Sequence, residues 1–297
     1  FKEPEFRFNP KLFNSRGLFL TGFRVTLVNV LNRYMVTIND LVIGKLGSTR
    51  DVAIYSRGIG LNDFVASSLM GITNFALPYL SDRKRDSSSF EEDYMRVSKV
   101  AAFLFLSCFT YSYLFTYELV YILFGEQWIN SVDIAKNMSI FFICRFTFPF
   151  YNQLMILHKK ESVLIFLYML MISIISLNIY LFWDAGLVKI SENMWVIGLI
   201  FLTVQLLTKL ILFNFNFLGI VKSFAKEMLG VVVLAVVFYL SWSFFAFAYP
   251  GWELLMFILQ SFLYWMFFVS LAFFLKTEFY FMLIKPLLRK LYAKFAT

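Results

Sequence analysis

An all-α integral membrane protein is predicted by three features of this 297-residue chain. Hydrophobic residues make up 60% of it, while charged residues reach only 15%, against about 25% in ordinary globular chains. The apolar residues gather into stretches longer than the ~20 that a membrane-spanning helix needs. The 27 Lys and Arg fall mostly on one side of those stretches. A soluble protein of this length could not solvate so much apolar surface. In lipid only helices and closed barrels satisfy their own backbone polar groups. Period-2 alternation is absent, so a helical bundle is expected and a barrel is not.

Eight stretches are long enough to cross, at about 17–43, 59–80, 98–124, 132–157, 161–183, 194–218, 227–249 and 252–275. Orientation follows from the loops between them. One side receives Lys2, Arg7, Lys11 and Arg16, then Arg83, Lys84, Arg85, Arg96 and Lys99 of the 81–99 loop. It also receives Lys159, Lys160, Lys222, Lys226 and the tail residues Lys276, Lys285, Arg289, Lys290 and Lys294. The other side has only Lys45, Arg50, Arg57 and Lys189. The positive-inside rule therefore places both termini in the cytoplasm, as an even number of spans requires. The net charge of +8 is read as topology and attraction to anionic membrane lipid, not as a nucleic-acid footprint.

Residues 1–16 read as a cytoplasmic linker. The chain begins at Phe1 with no methionine or signal peptide before the first span, and it is expected to be part of a longer protein. In the 81–99 loop, Ser88 with Glu91 and Ser89 with Glu92 are overlapping helix-start signals, so a helix should begin near residue 89. Cys108 and Cys144 fall inside spans and suggest neither a disulfide nor a metal site. His158 reads as a loop residue. In the tail 276–297, Lys285, Arg289, Lys290 and Lys294 oppose Leu287, Leu288, Leu291, Tyr292 and Phe295, the pattern of an interfacial amphipathic helix.

Chemistry must come from polar residues within the spans, which are costly in lipid. On the first span Asn29, Asn32, Arg33, Asn39 and Asp40 fall within about 120° of arc, beside Thr21 and Gly22. Arg33 lies near mid-span, where it needs an anion, a carboxylate on another helix, or water. Asp40 is about 10 Å further along the same face, too far for a direct pair. The fourth span carries Arg145 and Asn152 with Pro149 between them, and the proline should kink it. The sixth carries Gln205, Lys209 and Asn216 within roughly 40° of arc. Lys209 reads equally as a cavity cation or a packing ion. Asn178, alone on the fifth span, reads as an interhelical hydrogen bond.

No paired catalytic carboxylates, metal-ligand cluster, nucleophile elbow or phosphate-binding glycine loop appears, so no catalytic residue, metal or cofactor is expected. A channel would show a filter-like re-entrant segment. A transporter with a cationic cavity fits best, and cationic walls favour a phosphate or diphosphate.

Several short motifs carry a resemblance. They are Asn39-Asp40-Leu41-Val42-Ile43-Gly44 with Gly47, Ala53-Ile54-Tyr55-Ser56, Leu77-Pro78-Tyr79-Leu80-Ser81 with Tyr94 and Arg96, and the outer turn Leu123-Phe124-Gly125-Glu126-Gln127-Trp128. In order and spacing they resemble the second lobe of polysaccharide-repeat (O-antigen type) flippases, of the multidrug/oligosaccharidyl-lipid/polysaccharide exporter superfamily. The likeness covers roughly residues 1–155. Ala53 stands where that family often has Gly, and Tyr79 where it often has Ala.

The resemblance implies a six-helix lobe at 17–218 and an added helix pair within 219–275, with the first lobe missing. It implies export of an undecaprenyl-diphosphate-linked oligosaccharide across the bacterial cytoplasmic membrane by alternating access, in O-antigen and lipopolysaccharide synthesis. Arg33, Arg145, Lys209, Asn29 and Asn32 would bind the diphosphate, with Asp40 as the ion-coupling candidate. A polysaccharide polymerase and glycosyltransferases would be partners. The alternatives are a drug or metabolite antiporter of the same superfamily, whose cavity should favour carboxylates, and a membrane-embedded glycan polymerase or ligase.

Overall fold

The computed structural model describes residues 15–85, 90–245 and 253–286, and every regular element in them is helical. In chain order these are α1 (Ser15–Leu46), α2 (Thr49–Arg85), α3 (Phe90–Leu114), α4 (Thr116–Phe124), α5 (Val132–Phe146), α6 (Tyr151–Leu157), α7 (Glu161–Leu181), α8 (Leu187–Phe213), α9 (Phe217–Phe245) and α10 (Glu253–Phe274). Most of the linker expected at 1–16, the start signals Ser88 and Ser89, and the basic tail beyond residue 286 lie outside the described residues. Where description resumes, at Phe90, the chain is helical.

Six segments are long and apolar enough to cross a membrane: Phe90–Leu114, Glu126–Leu157, Glu161–Leu181, Leu187–Phe213, Phe217–Ser241 and Leu254–Phe274. The first two helices are longer, at 32 and 37 residues, but too polar to meet the same measure. Eight spans were expected and six are met. The difference arises because α1 and α2 hold the groups that make the chain chemically interesting.

Helix ends follow from local chemistry. Between α1 and α2, the Ser48 backbone N–H and hydroxyl both donate to Asp51 Oδ2, at 2.8 and 2.7 Å, tying off the start of α2. Gly125 (φ 91°) breaks the chain between α4 and a short 3₁₀ turn, Glu126–Ser131. Asn214 takes a left-handed conformation to end α8. Pro149 divides the expected fourth span into α5 and α6, the kink that the sequence predicts.

Packing closes α1, α2, α5, α8 and α7 into a ring, each against the next and α7 back against α1. Helix α3 leans on α2 and α5 from outside the ring, α9 lies along α3, and α10 along α9. Outer faces are apolar and open, as at Phe166, Ile211 and Phe262, which are exposed as lipid-facing residues would be.

Two features bring the central helices close. Gly58 lets α2 approach α5 so tightly that a Cβ there would stand 2.5 Å from Ile134 Cγ2. Beside it the buried Asn62 donates to the Ala135 carbonyl at 2.8 Å and accepts from the Ser112 and Ser139 hydroxyls at 3.2 and 2.9 Å. One side chain thus joins α2, α3 and α5, with both lone pairs of its amide oxygen used. Asn178 makes the bond expected of it, donating to the Ile190 carbonyl at 3.0 Å and accepting from Asn193 at 2.9 Å across α7 and α8. The α9–α10 pair is held by aromatic packing on α3, with Phe103 4.7 Å from Phe268 between ring centroids. The Tyr264 hydroxyl donates to the Ser107 carbonyl at 2.7 Å.

Interhelical hydrogen bonds in membranes contribute about 0.6 kcal/mol each on average, up to ~1.7. Asn62→Leu, which removes three, should therefore cost about 2 kcal/mol and lower the thermal midpoint of the detergent-solubilised protein by about 4–8 °C. Gly58→Leu should do more damage, because it must separate α2 from α5 by overpacking. An unchanged midpoint for Asn62→Leu would show that the buried amide adds nothing.

Candidate functional site

The ring of five helices encloses polar groups. A cavity of about 60 Å³ lies inside it, between Asn32 of α1, Met70 of α2, Arg145 of α5, Asn152 of α6, Tyr168 of α7 and Gln205 of α8. Arg145 reaches it from the last turn of α5. Its Nη2 donates to Asn32 Oδ1 at 2.7 Å, and the rings of Phe142 and Phe146 lie 5.6 and 5.4 Å from the guanidinium carbon. Across the cavity the Tyr168 hydroxyl donates to Asn152 Oδ1 at 2.7 Å.

Pro149 explains part of this arrangement. In a continuous helix the Arg145 carbonyl would accept the N–H of residue 149, and proline has none. Gln205 Nε2 of α8 approaches that carbonyl instead, at 3.4 Å. A side chain from a neighbouring helix thus serves a backbone group that lipid cannot.

The stripe predicted on α1 is divided by the structure. Asn32 turns into the ring, and Asn39 is buried with its amide donating to the Val36 carbonyl at 2.9 Å. Asn29 and Arg33 turn outward and are exposed. Arg33 has the carboxylate partner that the sequence left open. Its Nη1 donates to both Asp63 oxygens, at 3.0 and 2.8 Å, while 62% of the Arg33 side chain stays accessible against 23% of Asp63. Both bonds come from one nitrogen, so the rest of the guanidinium fork remains presented outward beside Asn29. Asp40 is half-buried further along α1. Its Oδ1 has no hydrogen-bond partner, nor does the buried hydroxyl of Tyr55 in whose field it lies.

Lys209 does not join this site. It is fully buried, its Nζ lies 3.6 Å from the Phe148 ring centroid and 5.3 Å from that of Tyr94, and it has no hydrogen-bond partner. The structure places it among aromatic rings and outside the lining of the ring cavity. Phe148 lines the cavity and carries Lys209 on its ring, so the 40° arc shared with Gln205 is interrupted by a residue from elsewhere in the chain.

Sequence reasoning passed over Asp63, Asn62 and Tyr168. The adjacent polar pair Asn62-Asp63 inside an otherwise apolar helix was the available signal. It counted Arg57 only among the cations of the outer side, and the structure seats it against Phe124 and Trp128, 5.5 and 5.0 Å from their ring centroids. That contact gives the Phe-Gly-x-x-Trp turn a physical role. A larger cleft, about 460 Å³, opens at the N-terminal end of α3. Its cations are already taken, with Lys99 Nζ and Arg96 Nε lying 3.3 and 3.8 Å from Glu278. It is therefore a weaker candidate for anion binding than the smaller ring cavity. Cys108 and Cys144 are both free, and no group of metal-ligating residues occurs among the described residues.

No curated protein and no solved structure matches the chain significantly. One family model does, and it spans α1 to the first turn of α5, where the outward stripe, its Asp63 partner and the quoted motifs lie. Residues 2–133, somewhat under half of the chain, match the family described as polysaccharide biosynthesis protein.

Proposed function

We propose that this chain is the second lobe, with an added helix pair, of a transporter that flips an undecaprenyl-diphosphate-linked oligosaccharide across the bacterial cytoplasmic membrane. It acts by alternating access and is not an enzyme. Helices α1 and α2 are membrane spans in this reading, which makes eight, with both termini cytoplasmic. A polysaccharide polymerase and the glycosyltransferases that build the repeat are its working partners, and O-antigen is the product class.

One observation carries the reading: the outward polar stripe of Asn29 and Arg33, backed by Asp63, beside exposed apolar residues such as Val30, Tyr34 and Phe64. A half-exposed arginine on a membrane helix is costly against lipid, so this face meets water, substrate or protein. A diphosphate suits it, because the guanidinium fork offers parallel charge-assisted bonds that the compact ammonium of lysine cannot copy. Asp63 fixes the fork without consuming it. Asp40, further along α1 with one carboxylate oxygen unpartnered, remains the coupling candidate. The cationic bias of Arg33 and Arg145 disfavours the antiporter alternative, whose substrates are cations.

Arg33→Lys in the full-length protein is expected to insert normally and export poorly, and Arg33→Ala to lose export by about tenfold or more, as the loss of a charge-assisted bond implies. Surface polysaccharide normalised to inserted protein is the measurement. The double variant Arg33→Ala/Asp63→Ala separates the two roles of the pair. If Arg33 binds substrate, removing both partners does not restore export. If Arg33 only neutralises Asp63, export returns, and the substrate role is lost. Arg145→Ala should be the next most damaging. Lys209→Met, which keeps the bulk of a packed side chain, should export near normally.

A further inference from the structure

Arg145 and Arg33 look alike in the sequence but occupy different electrostatic situations. Among the described residues Arg33 has a carboxylate and Arg145 has none within ion-pair distance. Arg145 feels Asp63 only at longer range, and Arg33 in the same field opposes it. The three groups together carry one positive charge in excess. Neutral contacts (Asn32 Oδ1 and the faces of Phe142 and Phe146) orient Arg145 but bring no negative charge. A cation so placed, partly withdrawn from water and not neutralised, is costly to hold.

The space beside it is matched to something small. About 60 Å³ holds a few water-sized bodies. A diphosphate carrying a lipid at one end and a glycan at the other is far larger than this space. The walls supply the remaining chemistry. The Gln205 and Gln153 carbonyl oxygens are buried without hydrogen-bond donors, so waters are needed to satisfy them, and waters can turn their other hydrogens toward an anion.

We propose that the interior of the helix ring binds one small monovalent anion of halide size, held by Arg145, oriented by Asn32 and bridged by water to Gln205. This site is separate from the outward face of Arg33. It rests on the ring and its cavity, and stands or falls independently of the flippase reading.

The experiment uses purified full-length protein in detergent, moved between chloride, bromide, inorganic phosphate and gluconate at constant ionic strength. Chloride and bromide should raise the thermal midpoint saturably, by about 2–4 °C at concentrations well above the dissociation constant, while gluconate should not. Arg33→Ala should keep this halide response and Arg145→Gln should lose it. If Arg145→Gln does not fold, ³⁵Cl line broadening in the wild-type protein, displaced by bromide and weakened in Asn32→Ala, reads the same site. No saturable halide effect in the wild-type protein overturns the proposal. So does an effect that survives Arg145→Gln, or one that Arg33→Ala removes. An equal or stronger Arg145-dependent response to phosphate would overturn the size argument and make this a phosphate site.

Discussion

The missing N–H of Pro149 organises the interior of this protein. Lipid offers a backbone carbonyl nothing, so interrupting the fourth long helical segment obliges the rest of the molecule to respond. Gln205 turns to the Arg145 carbonyl, the helix is interrupted between Phe146 and Tyr151, and Phe148 and Pro149 become part of a cavity wall. The space that results lies at the end of α5, where the Arg145 side chain emerges. A straight helix here would fill the ring with side chains and leave the arginine without room.

The α1 wall then separates two chemical environments with a few residues. Asn32 and Arg33 are neighbours in the chain, yet one faces the ring interior and the other its outer surface. This proximity lets Arg33, Asp63 and Arg145 share an electrostatic field while being open to different molecules. A shift in how Asp63 divides its influence between the two arginines would change both environments together.

Helix class, six of the eight span positions, the proline break and the role of Asn178 were legible because each is local or follows from hydrophobic run length. The α1 stripe was legible as an angle, but an angle does not say where the neighbouring helices stand. Helices α2 and α7 cover one edge of the stripe and leave the other open, which is why Asn29 and Asn32 part company. For a related reason the arc could not choose between the two readings of Lys209: its face is shared with Gln205, but Phe148 comes between them from a distant part of the sequence. Asp63 was overlooked because reading by apolar runs treats a polar pair as an interruption and not as a partner. The Phe-Gly-x-x-Trp turn was recognisable as a pattern, and its purpose emerged only when Arg57 was seen against both aromatic rings.

The seam between α3 and α10 has a consequence for the order of biosynthesis. Tyr264 closes on Ser107 across 157 residues of chain, so the aromatic side of α3 enters the membrane long before its cover has been translated. At about 5–20 residues per second the wait is roughly 10–30 s. During it, acyl chains must occupy the grooves between Phe103, Tyr111 and Phe115. Docking of the last two helices is therefore a late exchange of lipid for protein, and the ring can assemble on the other side of α3 before that exchange takes place.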